Sequence, residues 1–105
     1  MIALQLSWLS RRAMALYPFV IFRKKSDRSD QVLVNHERIH LRQQAELLVL
    51  PFYALYVISY LYNLIGTLNH EQAYRKILFE QEAYAYQSDP GYLKIRRPFA
   101  FIQFL

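Results

Sequence analysis

Residues 30–51 read DQVLVNHERIHLRQQAELLVLP, and the reading of that stretch decides the fold. No glycine or proline interrupts it between Gln31 and Leu50. Asp30 suits an N-cap, because its carboxylate can accept one of the first helical N–H groups, which lack an intrahelical partner. The pattern predicts a helix from Gln31 through Glu46, with Val32, Ile39, Leu47 and Leu50 lining its core side. Pro51 has no N–H and clashes with the preceding turn, so the chain should kink or break there.

Working outward toward the C-terminus, a second helix is expected over 52–65, with a loop at Gly66 to Asn69. His70 to Gln87 reads as a third helix, ended by the turn signal Ser88-Asp89-Pro90-Gly91. Tyr92 to Leu105, with Pro98 in it, reads as a short terminal helix or apolar tail. Toward the N-terminus, Arg23 to Ser29 is a charged loop. Ala15 to Phe22 (ALYPFVIF) is aromatic and β-branched but interrupted by Pro18, which suits an edge strand or extended segment. Residues 2–14 suit a short helix or apolar arm. The expected fold is mainly α: three to four packed helices in a single domain over 1–105, with at most one or two short strands.

Composition narrows the function. The 105 residues are 54% hydrophobic and 16% aromatic, with two glycines and four prolines, which excludes a disordered or collagenous chain. There is no cysteine, so disulfide frameworks, thiolate metal sites and a cysteine nucleophile are excluded. The formal charge of +5 is concentrated in residues 1–30, where six basic side chains face two acidic ones. Such a basic third favours anionic partners by long-range attraction. No helix-turn-helix or stacked aromatic–arginine motif accompanies it, so nucleic acid is not expected as a partner. The apolar start precedes Arg11 and Arg12 instead of following a positive charge, the wrong order for a secretory signal.

Leu47 to Ile65 is an uncharged run of nineteen residues, about 28 Å long as a helix and close to the thickness of a bilayer's hydrocarbon core. Tyr53, Tyr56, Tyr60 and Asn63 share one helical face, with Leu48, Leu55, Ile58 and Tyr62 opposite. The segment therefore reads either as a membrane-embedded or membrane-lying helix or as a buried helix of a cytoplasmic protein.

The chemistry lies in His36-Glu37-Arg38-Ile39-His40, an H-E-x-x-H pattern. Positions i and i+4 of a helix stand about 40° apart around the axis, one turn above the other. Two imidazoles so placed can grip one ion, with the glutamate at its flank where an attacking water would sit. A third protein ligand must then come from downstream. His70, Glu71, Glu80, Glu82 and Asp89 qualify by residue type. Glu80 and Glu82 stand out, because they lie in an aromatic and apolar stretch (ILFEQEAYAY) where a carboxylate needs a partner. Two residues apart on a helix, they face in different directions, so only one can join the histidines. The alternative for Glu80 is an ion pair with Lys76.

HERIH, followed some forty residues later by E-x-x-A at Glu80 to Ala83, resembles the gluzincin metallopeptidases, most nearly their membrane-associated branches. The layout of the whole chain is also similar to small bacterial proteins with no assigned activity. The gluzincin resemblance implies a zinc ion (Zn2+) held by His36, His40 and Glu80, with Glu37 as general base in peptide-bond hydrolysis. It implies a zincin-like pair of packed helices and a peptide or protein substrate. Where that family carries an aspartate four residues after the glutamate ligand, this chain has Tyr84. A phenol there could orient an imidazole or stabilise an oxyanion, and Tyr92, Arg96 and Arg97 are further oxyanion candidates.

The remaining polar residues have plainer expectations. Gln43, Gln44 and Glu46 should form a polar helix surface, with Gln43 close to the histidine face. Glu82 should pair with a basic side chain, His70 should start a helix, and Arg96 and Arg97 should be a solvated or lipid-facing pair. Besides the peptidase, two readings remain: a non-catalytic membrane-associated helical protein with a structural metal site or none, and a basic helical interaction module.

Overall fold

The computed structural model describes residues 1–105 as five α-helices, two short 3-10 turns and a three-stranded sheet. The strands are β1 (Ile2–Gln5), β2 (Ala13–Leu16) and β3 (Phe19–Phe22), in the order β1-β3-β2. β2 and β3 form an antiparallel hairpin with Ala13 opposite Phe22, and β1 runs parallel to β3 with Ile2 opposite Phe19. Three strands replace the expected one or two, and residues 2–14 hold strands instead of a helix. ALYPFVIF is not one edge segment either. Pro18 sits in the Tyr17–Pro18 connection, where a missing N–H costs no ladder bond, and β3 becomes the central strand.

α1 (Gln31–Leu47) is the axle of the molecule. Asp30 caps it, accepting from the Leu33 N–H at 3.1 Å, and Arg12 ties that cap to the sheet by pairing with both Asp27 and Asp30. Leu41 packs on Ala13, Ala15, Val20 and Phe22 of the hairpin, while Ile39 packs on Ala83 and Tyr92 on another side. Of the four residues expected on its core side, Ile39 is fully buried, but Val32 is exposed and Leu50 is 82% exposed. Most buried side chains of α1 are polar instead: His36, Glu37, His40, Gln43 and Gln44.

The chain turns at Leu48 (φ 68) and re-enters helix as α2 (Val49–Thr67), with Pro51 in its first turn, where no intrahelical N–H is required. A helix expected over 52–65 is thus longer at both ends. Phe52, Ile77, Phe79 and Phe101 form the second core cluster with Tyr74. Each large apolar side chain buried there contributes roughly 1.5–3 kcal/mol.

His70 to Gln87 is two helices, not one: α3 (His70–Arg75) and α4 (Leu78–Tyr86). The break at Lys76 and Ile77 sends the Ile77 side chain, fully buried, into the aromatic cluster. It also resets the phase. In an unbroken helix Tyr74 and Glu80 would lie about 120° apart around the axis, whereas here both line one cleft. The turn at 88–91 leads into α5 (Tyr92–Ile95) and a terminal 3-10 turn (Ala100–Phe104).

Candidate metal centre

His36, Glu37 and His40 project from the middle of α1 and are all buried. Glu80 reaches them from the first turn of α4. Its Oε1 stands 3.0 Å from His36 Nε2 and 3.1 Å from His40 Nε2, and the two Nε2 atoms are 3.2 Å apart. Lys76 forms no ion pair with it. The other oxygen of Glu80 accepts from the Tyr56 hydroxyl at 2.6 Å. Glu82, two residues on, points away to Arg96 and Tyr92.

The far nitrogens of both rings are also engaged. His40 Nδ1 faces Gln43 Oε1 at 2.8 Å, and His36 Nδ1 faces Gln87 Oε1 at 2.7 Å. The Gln43 amide nitrogen donates to Phe79 O and Glu82 Oε1, so its oxygen must be the end turned to His40. Nδ1 of His40 therefore donates, and its Nε2 is left as a lone pair directed at Glu80. With both rings neutral and donating from Nδ1, three acceptors converge on one buried point. A proton or a cation must bridge them, since lone pairs at this distance repel.

The donor set fits a divalent ion. Donors around a tetrahedral zinc with bonds of roughly 2.0–2.1 Å stand about 3.3–3.4 Å apart, close to the three separations here. Two neutral imidazoles with the carboxylates of Glu37 and Glu80 also leave a charge that one divalent ion balances. His36, Glu37 and His40 likewise offer one donor atom each within 4.8 Å of one another. In the absence of an ion the bridging proton belongs to His40. Burial opposes its charge, but Glu80, Glu37 and the Gln43 amide together outweigh it and its pKa is pushed up to about 9. Glu80 is likewise held well below the usual carboxylate range despite burial, through His40 and His36.

Glu37 differs from Glu80. Its nearest ionisable contact is His36 Nε2 at 4.0 Å, and its side chain makes no hydrogen bond. Burial raises its pKa, with the two histidines pulling the other way. It lines both clefts that open onto the centre. Tyr84, expected to orient an imidazole through its hydroxyl, instead sets its ring edge-on to His36 with centroids 4.6 Å apart. Gln87 and Gln43 hold the imidazole N–H groups.

Tyr92 and Arg96, two of the oxyanion candidates, are committed to Glu82. Arg97 lies with Ile95 and Phe99 on a separate cleft. Of the four candidates only Tyr84 reaches the cleft beside His36. Arg96 is not a solvated or lipid-facing residue: it is buried between Glu82 and Glu46, the latter at 2.9 Å. Gln43 and Gln44 are not helix surface. Both are buried, and Gln44 pairs with the edge of β2 through Ala15 O and Tyr17 N.

The residues that sequence reasoning missed hold the centre together. Asn35 donates to the carbonyls of Tyr86, Gln87 and Asp89, fastening the C-terminus of α4 to α1. Gln87 lies seven residues after Glu80, so two-turn helical spacing could have flagged it, as one-turn spacing from His40 did for Gln43. Tyr56 carried no such signal, because its partner is on another helix. No protein-family model, curated protein or solved structure matches the chain.

Proposed function

We propose that the chain is a zinc-dependent, metallopeptidase-like hydrolase of peptide bonds, with His36, His40 and Glu80 as metal ligands and Glu37 as general base. One observation carries this reading: Nε2 of His36, Nε2 of His40 and Oε1 of Glu80 converge within 3.0–3.2 Å of one another beside a buried acid that has no hydrogen-bond partner. A divalent ion held there supplies Lewis acidity, which polarises a peptide carbonyl and activates water near neutral pH. The chain's own residues do the rest. Glu37 takes a proton from the attacking water on a carboxylate oxygen and returns it to the leaving amine nitrogen. Its raised pKa makes it a better proton acceptor than a solvated glutamate. Tyr56, Gln43 and Gln87 hold the ligands in place before substrate arrives, so little reorganisation accompanies the reaction. Tyr84, beside His36 in the cleft, is the phenol placed to donate to a developing oxyanion.

The reading includes a membrane surface under α2. This is the one helix long and apolar enough to cross a bilayer, and only 6% of it is buried. Its inner face is occupied by Phe52, Tyr53, Tyr56 and Tyr60, packed on the second core cluster, so lipid cannot surround it. Its outer face, with Leu50, Ile58, Tyr62 and Ile65 bare, suits lying on a bilayer.

Elemental analysis of the purified full chain tests the centre. One zinc per chain is expected, lost on His36→Ala or His40→Ala. Glu37→Gln should keep the ion and abolish peptide cleavage. A wild type that takes up no zinc would refute the centre. One that holds zinc but cleaves nothing would make the ion a structural clamp.

A further inference from the structure

The two clefts that meet at Glu37 differ in chemistry. The smaller, about 220 Å³, is walled by Leu9, Met14, Phe52 and tyrosine rings above His40 and Glu80, with Arg11 shared between it and the larger cleft. The larger, about 620 Å³, runs from His36 and Glu37 past Arg11, Arg12 and Arg23, with Asp30 its only other carboxylate. These arginines are not equivalent. Arg12 is spent on Asp27 and Asp30, at 3.0 and 2.8 Å. Arg11 and Arg23 form no ion pair. The Arg11 guanidinium lies 3.7 Å over the ring of Tyr74, which lines both clefts. Arg23 carries a buried Nε with no hydrogen-bond partner. Two guanidinium groups without a carboxylate partner therefore line the cleft that ends at Glu37.

We propose that Arg11 and Arg23 form a carboxylate-binding subsite. The substrate is a peptide that presents a carboxylate to this pair and an apolar side chain to the smaller cleft. That it is a substrate rests on the hydrolase reading above; that it binds does not. Guanidinium forks match carboxylates with paired, charge-assisted hydrogen bonds. A C-terminal carboxylate and an Asp or Glu side chain offer the same group.

The test is calorimetric titration of the zinc-loaded, full-length Glu37→Gln chain with three forms of one apolar pentapeptide. These are a free C-terminus, an amidated C-terminus, and an amidated form with one internal glutamate. At least one carboxylate form should bind roughly tenfold or more tightly than the neutral amide. A free-terminus preference identifies the terminus, and tight binding of the glutamate form identifies a side chain. The preference should vanish in the Arg11→Ala/Arg23→Ala double variant. It should also shrink as salt rises from about 0.05 to 0.5 M, which decides the matter without a substitution if the double variant fails to fold. Equal binding of all three forms, no binding of any, or a preference that survives the double variant or high salt overturns the subsite. Wild-type cleavage of the same peptides separates the two ideas. Selective binding without cleavage would refute the hydrolase alone, and cleavage without charge preference would refute the subsite alone.

Discussion

The amide of Gln43 is clamped between His40 and Glu82. Its oxygen accepts from His40 Nδ1 at 2.8 Å, and its nitrogen donates to Glu82 Oε1 at 2.9 Å. Arg96 and Tyr92 fix Glu82 in turn, so a buried relay runs from the metal centre to the terminal segment. Each link sets the polarity of the next, and the His40 lone pair is aimed as a result.

Gln43→Leu should therefore weaken zinc binding by roughly 10–100-fold, the usual cost of losing a partner that orients a ligand. Competition against a chromogenic chelator reads this directly. Unchanged affinity would show that His40 is oriented by packing alone.

Zinc binding should release a proton. In the ion-free chain the His40 pKa lies near 9, against an ordinary 6.5, because Glu80, Glu37 and Gln43 together outweigh the opposing effect of burial. The sign follows: a raised pKa stabilises the ion-free fold fully below pH 6.5, and that contribution is lost as pH rises through about 9. An incoming ion must displace the same proton, so apparent affinity should climb about tenfold per pH unit until near pH 9. Titration at pH 7.5 in two buffers of different ionisation enthalpy should report about one proton released per ion. No proton release would contradict a protonated His40.

Arg96 balances two carboxylates, Glu82 and Glu46, with its own side chain wholly buried. Arg96→Ala leaves both without a counter-charge and should cost about 3–5 kcal/mol in chemical denaturation. Arg96→Lys should recover only part of this, because an ammonium cannot reproduce the fork. Arg97→Ala, next door but exposed, should stay within about 0.5 kcal/mol of wild type.

The outer face of α2 gives a separate test. Ile58→Glu and Ile65→Glu alter side chains that are 61% and 79% exposed, so stability should change by no more than about 0.5 kcal/mol. Flotation with anionic vesicles should nevertheless fall sharply if that face lies on lipid. Full binding by the double variant would remove the membrane from the proposal.

The sequence by itself determined what depends on the period of one helix. Asp30 as cap, a helix from Gln31 through Glu46, His36 and His40 one turn apart, and Glu80 and Glu82 aimed in different directions all follow from 3.6 residues per turn, whatever surrounds the chain. The tyrosine face of α2 was legible in the same way, but which side it would take was not: the polar-tipped face turned inward and the greasy face outward. Periodicity cannot say whether a polar side chain will meet a partner from far along the chain. Gln43, Gln44 and Arg96 looked like surface because an unpartnered amide or guanidinium belongs in water. They are buried because Glu82, Glu46 and the edge of β2 satisfy them. The third strand and the break at Ile77 are of the same kind. Only tertiary packing brings α4 against α1, fastened by Asn35, and sets the Glu80 oxygen between two imidazoles about forty residues away.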